Sequence, residues 1–377
     1  MSKLRSLSIL LIGGLLVGIT LPNSFSITAT DTSSTSTPFN FIAYGDTRGS
    51  TYTDTTVDAV SELHDDIVTA YLQNDPELIV HTGDLAGAFR YPLQVEAFND
   101  SLVDVWNANI PIYFAVGNHD RDEYPEVEHD AFSSYANYIE THNQLNASYS
   151  QALDDADETI FYFSFDYQNV HFISINNEWD WDGDDLTLYA PQLNWLLADL
   201  AASSTTADFT VVAFHRPAYS VNRDRPYRWD QATSIRGTFH DHFVQYGVDL
   251  VFSGHDHYYY RTRRDGIYYV TTGGGGAPLY DYNKAAPDWQ SGDVVYKEYH
   301  YCNVAVNSST ISVTTSTING TVLDAFDFST EFDPGPNSGS SSSSEETSNG
   351  SSASGWAALT GIVSMIAIAT VIRQRRR

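Results

Sequence analysis

Five apolar runs in this chain each end in a polar cluster built from metal-holding residue types. Asp46 follows Phe39 to Tyr44, and Asp84 follows Leu78 to His81. Asn118, His119 and Asp120 follow Ile112 to Val116; His215 follows Phe209 to Phe214; His255 and His257 follow Leu250 to Phe252. Carboxylate and amide oxygens combined with imidazole nitrogens suit borderline metals such as Mn, Fe or Zn. Cys302 is the lone cysteine, so neither a disulfide nor a Cys-built structural zinc site is available within the chain. The many histidines argue against calcium, which takes oxygen ligands. Two metals about 3.5–4 Å apart can share a hydroxide and clamp a phosphoryl group for in-line attack.

Such residues need elements that bring them together. Short apolar runs bounded by Gly-Asp, Gly-Asn or Ser-Gly read as buried strands. Ligands carried at strand C-termini converge on one rim of an α/β sheet. Val57, Val60, Leu63, Ile67, Val68 and Tyr71 recur at helical spacing, which predicts a helix over Thr53 to Asn74. Phe161 to Phe165 and Val170 to Ile175 read as paired strands, and Leu193 to Leu200 as a helix. Ile267 to Thr272, Asn303 to Val306, Ile311 to Thr315 and Val322 to Phe328 supply later strands. On this reading His64 is a solvated helix residue, and His81 and His171 are structural. His240 and His242 fall on a helix surface, and Cys302 is a buried thiol. His129 and His142 lie in a polar stretch overhanging the site, and Asp180 to Asp185 form a solvated acidic loop.

The ordered set Gly45-Asp46, Gly83-Asp84, Gly117-Asn118-His119-Asp120, His215 and Gly254-His255-Asp256-His257 resembles the calcineurin-like metallophosphoesterase superfamily. The resemblance runs from about Phe39 to Phe328. Gly254 to Arg261 match the Gly-His-x-His-x-Tyr-x-Arg pattern of its purple acid phosphatase branch in full. The resemblance implies an α/β fold of four layers, α/β/β/α, with two mixed sheets face to face and helices outside. It also implies a dinuclear centre of divalent or trivalent ions (Mn, Fe or Zn). Asp84 would bridge the two metals. Asp46 and His257 would complete the first metal, and Asn118, His215 and His255 the second. Asn118 and His119 would face the substrate, and Arg48, which the family pattern does not supply, is a further candidate for that face. His119 would serve as general acid or charge stabiliser, with Asp120 orienting its imidazole. The implied reaction is phosphoester hydrolysis by metal-bound hydroxide, foremost that of an acid phosphatase-like phosphomonoesterase. The alternatives are a phosphodiesterase or nucleotidase, and a catalytically silent surface binding protein on the same fold.

Two positions depart from the pattern. Many superfamily members have His two residues after the first Asp; here Arg48 stands there. Purple acid phosphatases have Tyr three residues after the bridging Asp; here Gly87 stands there. The first metal is left with three protein ligands, and tyrosinate-bound ferric iron is put in doubt. Arg48 has two readings: a guanidinium fork toward substrate phosphate, or a structural partner of a nearby Asp.

The 377 residues carry 19 Lys+Arg against 48 Asp+Glu, a net charge of −29. That balance repels nucleic-acid backbones, so no nucleic-acid partner is expected. Residues 1–26 read as a signal peptide, with Lys3 and Arg5 before an apolar stretch and small residues Ser24 and Ser26 ahead of a cut. Residues 39–330 form the catalytic domain and 331–355 a Ser/Gly-rich stalk. Residues 356–372 read as a transmembrane helix or sorting segment, of roughly 17 residues. Residues 373–377 form a basic cytoplasmic tail. The expected partners are a phosphate ester and, through the C-terminal helix, the membrane. The expected location is exported and anchored at the cell surface.

Overall fold

A computed structural model describes residues 36–89, 91–120, 162–178, 190–225 and 228–330. In chain order the strands are β1 (Phe39–Tyr44), β2 (Leu78–His81), β3 (Ile112–Phe114), β4 (Phe163–Tyr167), β5 (Val170–Ser174) and β6 (Phe209–Ala213). They continue as β7 (Leu250–Ser253), β8 (Tyr259–Arg264), β9 (Ile267–Thr272), β10 (Val294–Tyr296), β11 (His300–Val306), β12 (Thr310–Thr317) and β13 (Val322–Ser329). The helices are α1 (His64–Leu72), α2 (Pro92–Ser101), α3 (Val103–Asn107), α4 (Ala190–Ser203) and α5 (Arg228–Tyr246).

Two mixed sheets result, ordered β13-β12-β11-β1-β2-β3 and β10-β8-β9-β7-β6-β5-β4. Strand alternation explains the layers. Phe39, Phe41 and Ala43 of β1 face a core shared with Phe172, Val211 and Phe252 of the other sheet. Ile42 and Tyr44, on the opposite face, pack with Ile67 and Val68 of α1 and Phe98 of α2. In the second sheet Val212, Val251 and Tyr260 turn away from the shared core toward Leu196 of α4 and Phe239 of α5. A period of two therefore buries both faces of each strand, which is why these runs are continuously apolar. Helices cover the two outer faces, giving the four-layer α/β/β/α arrangement expected.

β1, β2 and β3 run parallel, with Tyr44 beside His81 and His81 beside Phe114. β6 and β7 are parallel in the second sheet, with Ala213 beside Phe252. The loops leaving these five strands thus emerge at the same ends of their sheets.

Several expectations need correction. The helix predicted over Thr53 to Asn74 begins only at His64. Residues 49–60 instead fold back on themselves, with Gly49 N–H bonded to Ala59 O at 2.9 Å and Thr51 N–H to Asp58 O at 3.1 Å. Asp58 has φ 55°, outside helical space, and Val57 is 73% exposed. His64 is not solvated. It is fully buried, with Nε2 at 3.0 Å from the Tyr44 hydroxyl and Nδ1 at 2.9 Å from Ser101 Oγ. Helix α2 and strands β8 and β10 were not anticipated.

The membrane partner and the cell-surface anchoring are also corrected. Among the described residues, no helix is long and apolar enough to cross a membrane. α4 has 14 residues, short of the roughly 20 needed. α5 has 19 but carries Arg228, Asp230, Arg236 and Asp241. The segment 356–372 on which the anchor rested lies outside the described residues, as do the leader 1–26, the stalk 331–355 and the tail 373–377. His129, His142 and the acidic loop from Asp180 to Asp185 lie outside them too.

Burial depresses the His64 imidazole to about 3, far below its ordinary value. The unfolded chain therefore takes up this proton first as pH falls below about 6.5. Stability from this group is present above that pH and lost on acidification toward pH 3, by at most about 1.4 kcal/mol per pH unit. Denaturant midpoints should fall between pH 7 and pH 4.5, and the His64 ring should not titrate by NMR over that range.

Candidate metal centre

Buried carboxylates define the site. Asp46 and Asp84, together with His257, offer ligand atoms that all lie within 4.8 Å of one another, and all three residues are buried. The second group of predicted ligands lies alongside. His215 Nε2 is 3.3 Å from Asp84 Oδ1, 3.2 Å from Asn118 Oδ1 and 3.2 Å from His255 Nδ1. The structure therefore brings together all six residues that the sequence marked as ligands.

Their orientation is set by what lies behind them. His215 Nδ1 meets the Thr82 carbonyl at 2.8 Å, and His257 Nδ1 meets the Pro278 carbonyl at 2.8 Å. A carbonyl only accepts, so each Nδ1 carries a proton and each Nε2 faces the carboxylates, free to give up its own proton to a cation. That is the tautomer a metal requires. Burial disfavours the charged form of His215, yet Asp84 and Asp46 override this and raise it to about 10. Asp84, despite its burial, is held well below the carboxylate range by His215, His119 and Arg48. The field around Asp84 thus favours positive charge, while burial, Arg228 and Arg216 hold His255 uncharged; the donor set of carboxylate, amide and imidazole fits two borderline cations.

The loops that carry these residues are close-packed. Gly117 admits no side chain, because a Cβ there would sit 2.2 Å from Asp84 N and 2.3 Å from Asp84 Oδ1. Gly87 explains the missing tyrosine: a Cβ there would lie 2.0 Å from the Thr51 carbonyl oxygen. The same fold-back that shortens α1 therefore leaves no room for a side chain at residue 87.

Two expected roles look different in place. Asp120 is not set against the His119 ring. Its carboxylate accepts the N–H groups of Asp84, Leu85 and Gly117, each at 2.8 Å, and so ties the second ligand loop to the third. His119 Nδ1 instead donates to Gly87 O at 2.9 Å, leaving Nε2 3.9 Å from Asp84 Oδ2. Burial pushes this imidazole down to about 4, against the pull of Asp84. Arg48 is buried, with Nε 3.5 Å from Asp84 Oδ2 and Nη1 3.0 Å from the Tyr52 hydroxyl. The pairing with a nearby Asp is the one displayed here.

One residue was quoted in the motif but given no role. Asp256 lies between His255 and His257 and is fully buried. Its oxygens accept from Ser220 Oγ (2.6 Å), Asn222 Nδ2 (2.7 Å), Arg228 Nη1 (2.6 Å) and the Tyr258 hydroxyl (2.7 Å). Burial would raise its pKa, but Arg228 and these donors bring it below the usual value. Arg228 also donates to the His255 carbonyl. The only signal in the sequence was the acid between two histidines; its partners come from distant loops.

The calcineurin-like phosphoesterase family profile matches residues 39–259, which carry every one of these ligands, and the chain belongs to that family. Within it, the chain is similar to purple acid phosphatases. Purple acid phosphatase 22 of Arabidopsis thaliana is 30% identical over 192 residues, 50% of this chain and 40% of the relative. A phosphoenolpyruvate phosphatase of Allium cepa is 28% identical over 203 residues, covering 52% and 38%. The chain thus spans about two fifths of the length of these relatives. Among solved structures, a purple acid phosphatase from yellow lupin (Lupinus luteus) seeds shares the fold with a TM-score of 0.59 at 18% identity. It covers 78% of this chain and 54% of its own. A dimetal phosphatase from Danio rerio shares the fold at TM-score 0.50 and 13% identity, over 77% and 98%.

Substituting Asp256→Asn should loosen the two flanking imidazoles. Affinity for Mn or Zn should fall roughly 10–100-fold by calorimetry, as is usual when a group supporting a ligand is lost. Thermal melting of the metal-free protein, measured alongside, separates this from general destabilisation.

Proposed function

We propose that the chain is a metal-dependent phosphomonoesterase whose centre is formed by Asp46, Asp84, Asn118, His215, His255 and His257. The observation that carries this reading is the convergence of the other five around Asp84, with His119 and Arg48 beside it. Two bound metals would supply a nucleophilic hydroxide and neutralise charge on the phosphoryl group. Asp46, Asp84 and His257 would hold the first ion; Asp84, Asn118, His215 and His255 the second.

The remaining steps belong to this chain's own groups. His119 faces the site through Nε2; with Nδ1–H held by Gly87 O, that nitrogen can donate a proton to the departing alcohol oxygen only from the charged form of the ring, which burial confines to acid pH. Gly87 O holds the ring in that pose. Arg48, once its pairing with Asp84 is weakened by cations, presents its guanidinium to the phosphoryl oxygens. Asp120 keeps Asp84 and Asn118 in register through three backbone bonds. The monoester preference rests on similarity to the purple acid phosphatase branch.

Metal analysis of the purified protein, with hydrolysis of mono- and diester panels in Mn, Fe or Zn, tests the reading. Asn118→Ala and His255→Ala should lower both metal content and turnover. Two bound metals with no ester cleaved would favour a silent binding protein, and faster diester turnover a phosphodiesterase. Arg48→Ala should reduce kcat by roughly 100-fold. An unchanged kcat with a lowered Tm would sink the substrate role of Arg48.

A further inference from the structure

Beside His257 the rim of the centre holds an aromatic ring and a cation that the hydrolytic reading does not use. Tyr280 stacks flat on His257, with ring centroids 4.1 Å apart and planes 12° from parallel. Its N–H bonds to the His257 carbonyl at 3.0 Å, so ring and ligand move as one unit. Two guanidinium groups, of Arg225 and Arg228, each lie 5.1 Å from the Tyr280 ring centroid. Arg228 is committed to Asp256, as described. Arg225 is exposed and has no carboxylate partner among the described residues. Arg48, Arg216, Arg223 and Arg236 all have carboxylate partners.

Arg225 is also placed rather than loose. Its N–H bonds to Asn222 Oδ1 at 2.9 Å, and Asn222 Nδ2 in turn bonds to Asp256 at 2.7 Å. The same loop that supports His255 and His257 therefore sets the backbone of Arg225. The Tyr280 hydroxyl makes no hydrogen bond among the described residues. Burial raises its pKa, while the charges of Arg228, Arg48 and Arg225 oppose that rise. A phenol with an unused hydroxyl and a guanidinium with an unused charge thus stand together at the lip of the centre.

We propose that Tyr280 and Arg225 form a leaving-group subsite that selects phosphoesters bearing a second anionic group, such as a carboxylate or another phosphate, on the alcohol side. The proposal rests on the phosphoesterase reading above for the place of the scissile phosphate. The fork of Arg225 pairs with the second anion and the Tyr280 hydroxyl donates to it. Neither group touches the reacting atoms; both determine specificity.

The test compares hydrolysis of phenyl phosphate and 4-carboxyphenyl phosphate by the metal-loaded full chain. Binding of benzylphosphonate and 4-carboxybenzylphosphonate is measured by calorimetry in parallel. Wild type should prefer the carboxylated member of each pair. Arg225→Gln should lower the carboxylated-to-plain ratio of kcat/KM, and of affinity, by about tenfold. Tyr280→Phe should lower the same ratios, and comparing variant with wild type cancels the intrinsic reactivity of the two esters. Ratios unchanged in Arg225→Gln, or equal use of both esters by wild type, would overturn the subsite. Absence of hydrolysis with the binding preference and its loss in Arg225→Gln intact would overturn the phosphoesterase reading while leaving the subsite standing.

Discussion

The carboxylate of Asp46 accepts the N–H of His255 at 2.9 and 3.1 Å, across a sequence separation of 209 residues. That contact joins the rim of one sheet to the rim of the other, and the rest of the centre depends on it. The loops around it are bonded backbone to backbone: Asp46 N–H to Gly83 O, Gly275 N–H to Gly45 O, and Gly254 N–H to His215 O, all at 2.9 or 3.0 Å. Asp46, Asp84 and His255 have φ of 60°, 59° and 67°, a region that non-glycine residues rarely adopt. Such conformations cost of order 1–3 kcal/mol each and persist only where the surroundings over-determine them. Here the zipped loops do so, and the strained residues are among the six candidate ligands.

Buried acids at this rim are handled in two ways. Asp256 and Asp120 have their oxygens occupied by hydroxyl, amide, guanidinium and backbone N–H donors, so they act as fixed braces. Asp84 also accepts one N–H, from His119, but its remaining neighbours are imidazoles and Arg48. A buried carboxylate with that company demands compensating positive charge. Bracing acids hold the loops still; Asp84 keeps a field into which cations fit.

The fold-back of residues 49–60 shows how one local conformation reshapes the site's chemistry. It carries Arg48 and Tyr52 into the rim, brings Thr51 against Gly87, and leaves no room for a side chain at that position. A tyrosine ligand is absent for a steric reason, and positive charge stands where relatives of this pattern place an imidazole. The Asp46–His257 side of the rim therefore has Arg48 beside it, as the His255 side has Arg216.

That six polar residues at strand ends come together was legible from residue order alone. A strand that buries both faces must be continuously apolar, and a polar cluster at its end must lie at the sheet's edge, so local pattern already implied convergence. The four layers were legible through family resemblance and are explained by the alternation of Phe41 and Ile42 between two cores. Tertiary structure decided the rest. The helical spacing of Val57 and Val60 was overridden by hydrogen bonds to Gly49 and Thr51, and His64 was buried by contacts with Tyr44 and Ser101. The partners of Asp120, the four donors on Asp256 and the company of Tyr280 depend on which loops meet. Residue types and spacing set which chemistry is available. Only the meeting of loops far apart in the chain sets which acid braces, which acid binds, and which cation is left for a ligand.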